Sequence, residues 1–130
     1  MKHSRGFTVI ELLVVVLFLA VAATVLIIQR NNLTATQRDT ERKTAINAMY
    51  YNLEEVAYKQ DTKYPKVLND KTLTAMDPNL FTDPEGRTLG SGDSDYRYEP
   101  TNCDEVGCAS YTLRADLEKE ADFVKTSRHK

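Results

Sequence analysis

The chain has 130 residues, a formal net charge of −2 and 42% hydrophobic residues, with two cysteines and two histidines. This length predicts one domain in addition to any membrane segment. The sequence contains no lysine- or arginine-rich run, so we expect no direct nucleic-acid site. No nucleotide-binding glycine motif occurs, and the two histidines lie near the ends of the chain, at positions 3 and 129. We therefore expect that the protein is not an enzyme.

A short basic leader, residues 1–6, precedes a long apolar segment, residues 7–28. Twenty-two helical residues span roughly 33 Å, enough to cross a bilayer, and the basic leader predicts an N-terminus on the cytoplasmic side. Glu11 is the one carboxylate of the segment, and an acidic side chain at mid-helix costs roughly 2.5–3.5 kcal/mol. This charge predicts a positive partner. Cleavage after Gly6 would supply one, the α-amine of Phe7.

Residues 6–11, reading Gly-Phe-Thr-Val-Ile-Glu after a basic leader, resemble the class III signal of type IV pilins and pseudopilins. The resemblance implies that prepilin peptidase cuts after Gly6 and methylates Phe7. It also implies that Glu11 helps to seat each subunit against its neighbour. The sequence departs from many pilins because residues 7–28 contain neither proline nor glycine.

The resemblance implies a structural subunit of a type IV pilus-like filament without a cofactor. Its partners would be further copies of the chain, prepilin peptidase, an inner-membrane assembly platform and, before assembly, the lipid bilayer. The precursor would cross the cytoplasmic membrane once with its C-terminus outside, and the assembled subunit would belong to an extracellular surface filament. The alternative within the family is a pseudopilin of a type II secretion or DNA-uptake system.

Other readings of the apolar segment remain open. It could serve as an ordinary membrane anchor, including that of a single-pass enzyme, or form the core helix of a cytosolic protein. It also resembles a conventional signal peptide, because residues 20–22 read Ala-Val-Ala, an A-x-A-like cleavage site. Signal peptidase I would then release a soluble secreted binding domain.

No glycine or proline occurs between Gly6 and Pro65, which predicts a helix from about residue 7 to about residue 60 that ends before Tyr64-Pro65. Residues 29–60 would be its amphipathic continuation. Its apolar side chains recur at steps of three and four residues: Ala45, Ile46, Met49, Leu53, Val56 and Ala57. A charged group precedes them and predicts either a solvated face or ion pairs between subunits: Arg38, Asp39, Glu41, Arg42 and Lys43.

The remainder of the chain, residues 61–130, is predicted to form an extracytoplasmic globular head. Alternating side chains predict strands at residues 95–99, 110–117 and 121–125, with a hairpin turn before the last strand. The predicted fold class is α+β. The second half of the long helix would pack under a small antiparallel sheet of about three strands.

Two further features of the head concern covalent and metal chemistry. An oxidising compartment predicts a disulfide between Cys103 and Cys108, with two reduced thiols as the alternative. Oxygen ligands at Asp93, Asp95 and Glu99 predict a weak calcium site, with Asp83 as a further candidate ligand. We expect no zinc site, because the histidines are at the two ends of the chain, at positions 3 and 129.

Overall fold

A computed structural model describes residues 6–129 of the chain. The predicted leader therefore lies outside the described residues except for Gly6, and so does His3. The chain divides into two compact units, Met1–Thr34 and Ala35–Lys130. The first contains the apolar segment, and the second contains the predicted head together with the part of the helix that follows Thr34.

The long helix predicted from the absence of glycine and proline is confirmed. Helix α1 covers Val9–Asn52 and is followed by a π-helical turn at Leu53–Ala57 and a short helix α2 at Tyr58–Asp61. The helix ends at Thr62 rather than at the Tyr-Pro pair. Thr62 has a left-handed φ of 55°, and its N–H donates to the Tyr58 carbonyl at 2.8 Å. This is a helix-ending geometry that usually requires glycine or asparagine.

The predicted antiparallel meander is also confirmed. The strands are β1 at Tyr96–Cys103, β2 at Cys108–Ala115 and β3 at Phe123–Thr126, in the spatial order β1-β2-β3. A 3₁₀ turn at Pro78–Phe81 precedes them. Strand β1 runs four residues beyond its predicted end and includes Pro100. An edge strand tolerates proline, since only one side of it pairs with a neighbour.

The head has one hydrophobic core, formed where the amphipathic face of the helix meets the sheet. On the helix, the first four predicted periodic positions are buried, whereas Val56 and Ala57 are half-buried. On β2, alternate residues face inward, as the period of two predicts. The buried side chains that the helix and β2 contribute to this core are Ala45, Ile46, Met49, Leu53, Cys108, Tyr111, Leu113 and Ala115.

Candidate functional site

The predicted cleavage site lies at the start of the first helix. Gly6 and Phe7 precede α1, and the Phe7 side chain is 77% exposed. Thr8 caps the helix, because its hydroxyl accepts a hydrogen bond from the Glu11 N–H at 3.3 Å. The residues at which the resemblance locates peptidase cleavage are therefore open to solvent and outside regular structure.

Glu11 does not lie in the middle of the helix, where an acidic side chain would carry the full cost of burial in a membrane. Helix α1 begins at Val9, so Glu11 lies in its first turn. Free backbone N–H groups and the positive end of the helix dipole favour a carboxylate there. The full mid-helix penalty therefore does not apply to this chain on its own.

The apolar part of α1 packs against no other element among the described residues of its unit. It is long and apolar enough to span a membrane, and its most apolar stretch is entirely unburied among the described residues. Ile10 and Phe18, for example, are 74% and 72% exposed. An apolar surface of this extent requires lipid or protein to cover it.

The charged group on α1 is organised around Arg42, which is only 2% exposed. Its Nη2 donates to Asp95 Oδ2 at 2.6 Å, and its Nη1 donates to Glu118 Oε1 at 2.8 Å and Asp39 Oδ1 at 3.0 Å. Burial acts to lower the pKa of Arg42, but the hydrogen bonds to Glu118 and Asp95 outweigh it and raise the pKa. The guanidinium stays charged and links the helix to two loops.

Asp39 holds the loop between β2 and β3 against the helix. It is 3% exposed, and its two carboxylate oxygens accept the backbone N–H groups of Glu118 and Lys119, both at 2.9 Å. Glu118 also accepts two hydrogen bonds from Arg38 at 2.6 Å. Hydrogen bonds from Arg38, then Arg42, lower the pKa of Glu118 to about 2. The predicted hairpin turn is thus a loop that Asp39, Arg38 and Arg42 bind to the helix.

For Asp39 and Arg42, the expectation of a solvated face is wrong, because both side chains are buried and paired within the chain. The signal that predicts their burial is present in the sequence. Ala35, Asp39, Arg42, Ile46 and Met49 follow one another at steps of four and three residues, so the two charges lie on the apolar stripe.

The weak calcium prediction is not supported. Among the described residues, no group of three acidic, histidine or cysteine side chains could hold a metal ion. Asp93 and Glu99 are exposed, whereas Asp83 and Asp95 face the Arg87 guanidinium, each at 3.2 Å. The oxygens that a cation would need are neutralised by arginine.

A second buried carboxylate, Glu54, lies in the π turn and is 3% exposed. The hydroxyls of Tyr111 and Tyr64 donate to it at 2.8 and 3.0 Å, and the Arg128 N–H donates at 3.1 Å. His129 Nε2 lies 4.0 Å from the same carboxylate. The end of the described chain is therefore fixed to the helix by a residue that the sequence analysis did not single out.

The predicted disulfide between Cys103 and Cys108 is present and joins β1 to β2. Asp104 orders the loop that it closes, since its Oδ1 accepts the Gly107 N–H at 3.0 Å. A Cβ at Gly107 would lie 2.9 Å from the Tyr64 carbonyl oxygen, so this position has no room for a side chain.

Comparison with known proteins finds no match to the chain among family models, curated proteins or solved structures. The assignment of a function consequently rests on the residues themselves. The strongest of them are the N-terminal run from Gly6 to Glu11 and the unburied apolar helix that follows it.

Proposed function

We propose that the protein is a structural subunit of a type IV pilus-like filament, made as a membrane-anchored precursor. One observation carries the proposal: the Gly-Phe-Thr-Val-Ile-Glu run leads into the long helix, and no residue of the most apolar stretch of that helix is buried among the described residues. The proposal assigns no enzymatic activity to the chain. Under this proposal, lipid covers the apolar helix before assembly, and the helices of neighbouring subunits cover it in the filament.

The energetic argument concerns Glu11. At the start of α1, its carboxylate can remain near the polar edge of a bilayer while the subunit is a monomer. In a filament core the same carboxylate would be surrounded by apolar helices, where an unpaired charge is costly. Cleavage after Gly6 creates the positive α-amine of Phe7, and the amine of an adjacent subunit would neutralise Glu11.

The proposed partners follow from this sequence of states. Prepilin peptidase would process and methylate the precursor in the cytoplasmic membrane. An assembly platform in that membrane would then transfer the subunit into the growing filament. The head, with its own core, disulfide and buried ionic network, would remain outside throughout and form the filament surface.

The test is filament yield in the native cells. We expect that Glu11→Gln, which removes the charge but keeps the size, reduces sheared filaments strongly while the full-length subunit accumulates in the membrane. The matched control is Glu99→Gln, an exposed glutamate of the head, which should assemble normally. Filaments of normal yield from the Glu11→Gln variant would refute the proposed role of this carboxylate.

A second variant tests processing separately from assembly. Gly6→Val puts a branched side chain at the cleavage position, where no described residue other than the chain neighbour of Gly6 lies within 4 Å of an added Cβ. The chain should therefore fold normally and yet accumulate as uncleaved precursor. Normal maturation of this variant would contradict cleavage by a prepilin peptidase.

The pseudopilin role is distinguished by deletion. Loss of long surface filaments on deletion supports the pilus-like subunit. Cells that retain those filaments but lose protein secretion or DNA uptake would indicate a pseudopilin instead.

A further inference from the structure

A cavity of about 480 Å³ opens between helix α1 and the segment around the 3₁₀ turn of the head. Its lining combines acidic, amide, hydroxyl and apolar groups. The residues concerned are Glu41, Ala45, Asn79, Leu80, Thr82, Asp83, Pro84 and Tyr96.

Tyr96 is the most informative residue of this cavity. It is 2% exposed, and its hydroxyl makes no hydrogen bond within the described residues. Buried tyrosine hydroxyls usually find a partner, and in this head those of Tyr64, Tyr98 and Tyr111 all do. The Tyr96 hydroxyl is an exception among them.

This hydroxyl is not sealed inside the protein. Among the described residues, Arg114 Nε is the one side-chain atom that is both fully enclosed and without a partner. The Tyr96 hydroxyl therefore keeps an opening. Tyr96 also lines a second cavity of about 450 Å³, but the carboxylates of Asp83 and Glu41, which both line the first cavity, act on the Tyr96 hydroxyl and indicate that a partner would reach it from that side. A buried polar group of this kind favours a ligand that hydrogen-bonds to it.

The charges around the cavity favour a cation. Glu41 lies exposed at the rim, and its carboxylate has a hydrogen bond from Gln37 but no salt bridge. The adjoining ionic network contains two more acidic side chains than basic ones: its arginines are Arg38, Arg42 and Arg87, and its acids are Asp39, Asp83, Glu85, Asp95 and Glu118. Glu41 adds a further negative charge on the cavity side.

The protonation state of Tyr96 agrees with this chemistry. Burial, and then the Asp83 carboxylate, raise the pKa of Tyr96 to about 12, while Arg42 acts in the opposite direction. Near neutral pH the hydroxyl is therefore intact, and its oxygen is free to accept a hydrogen bond from an ammonium group.

We propose that this cavity binds an alkylammonium group. The ammonium would donate to the Tyr96 hydroxyl oxygen and to the Glu41 carboxylate. Leu80, Pro84 and Ala45 provide the apolar wall for the attached methylenes. A ligand of this one class would satisfy the Tyr96 hydroxyl, pair with the Glu41 carboxylate and pack against the apolar wall.

The test is a titration of the full ¹⁵N-labelled chain in nonionic detergent micelles with n-butylammonium chloride. We expect saturable amide shifts confined to the cavity segments, residues 41–45, 79–84 and 96. Sodium butyrate, an anion with a similar alkyl chain, should produce no saturable shift. Butyrate binding as tight as that of butylammonium, or no butylammonium binding, would overturn the proposal.

Two substitutions identify the contacts. Tyr96→Phe removes a hydroxyl that has no partner in the folded chain, so the melting temperature should not fall, and Glu41→Gln changes an exposed side chain. Each should weaken butylammonium binding about fivefold or more, the factor expected for one hydrogen bond. The matched controls Tyr51→Phe and Glu99→Gln should leave the affinity unchanged. Equal affinities in all four variants would contradict the assignment.

Discussion

Arg42 is the residue whose replacement tests the buried ionic network most sharply. Arg42→Leu fills part of the same space with an aliphatic side chain. It leaves the carboxylates that face Arg42 without their guanidinium partner. Breaking a buried ion pair by removing one partner costs about 3–5 kcal/mol. We expect the lower end, about 3 kcal/mol, because Asp39 keeps its two backbone N–H donors and Asp95 keeps Arg87.

The neighbouring arginine on the same helix is the matched control. Arg38 pairs with Glu118 through two 2.6 Å hydrogen bonds, but both side chains are 32% exposed. A solvated pair of this kind contributes about 0–1 kcal/mol. Arg38→Leu removes the same charge from the same helix, so a comparison of the two variants isolates the effect of burial.

The assay is thermal unfolding of the full chain in nonionic detergent, followed by near-ultraviolet circular dichroism. All seven tyrosines lie within the unit Ala35–Lys130 and the chain has no tryptophan, so this signal reports on that unit. At roughly 4–8 °C per kcal/mol for a domain of this size, Arg42→Leu should lower the melting temperature by about 12 °C or more. A loss no larger than that of Arg38→Leu would refute the reasoning.

Three further predictions concern pH, packing and a buried hydrogen bond. Because Arg38 and Arg42 lower the pKa of Glu118 from 4.5 to about 2, its contribution to head stability is complete above pH 4.5 and should disappear as the pH falls toward about 2. In acid unfolding, Glu118→Gln should flatten this part of the stability profile. Gly107→Ala should destabilise the head by about 1–3 kcal/mol in urea unfolding, because the new Cβ meets backbone at 2.9 Å. Tyr111→Phe should cost about 1.5–3 kcal/mol, because a buried charged acceptor loses a donor at 2.8 Å.

Each of these predictions has its own control and contrary result. An unchanged acid profile for Glu118→Gln would show that its pairing with arginine does not set stability in that range. Gly92→Ala introduces a Cβ into open space and should be nearly neutral, so equal losses at both glycines would contradict the steric argument. Tyr51 is 62% exposed, and an effect of Tyr51→Phe as large as that of Tyr111→Phe would exclude burial as the cause.

The sequence was sufficient to predict the architecture because its signals are local. The absence of glycine and proline before Pro65 predicts the helix, and alternation in residues 110–117 predicts the central strand. The end of β1 was missed, because a proline normally interrupts a strand and Pro100 is tolerated only at the sheet edge.

The buried charges could not be predicted by the same local rules. Charged residues are mostly exposed, so Asp39 and Arg42 were expected to be solvated or to pair between subunits. Their partners Asp95 and Glu118 are distant in sequence and become neighbours only in the folded head. The position of Asp39 and Arg42 on the apolar stripe of the helix is a local signal. It predicts that both are buried, but it does not identify Asp95 and Glu118 as their partners.

Among the described residues, the calcium candidates do not come together as one ligand group, for a related reason. Acidic residues close together in sequence were assigned to a common site, but Asp93 and Glu99 lie exposed and Asp95 turns toward arginines. Spacing along a loop does not determine which side chains converge.

The most direct test of the central claim is mass spectrometry of the mature N-terminus in native cells. The account predicts a chain that begins at Phe7 and carries one added methyl group, as prepilin peptidase processing requires. A chain that begins after Ala22 or Ala23 would contradict it. The protein would then be a secreted soluble domain, and the assembly role proposed for Glu11 would be lost with the removed segment.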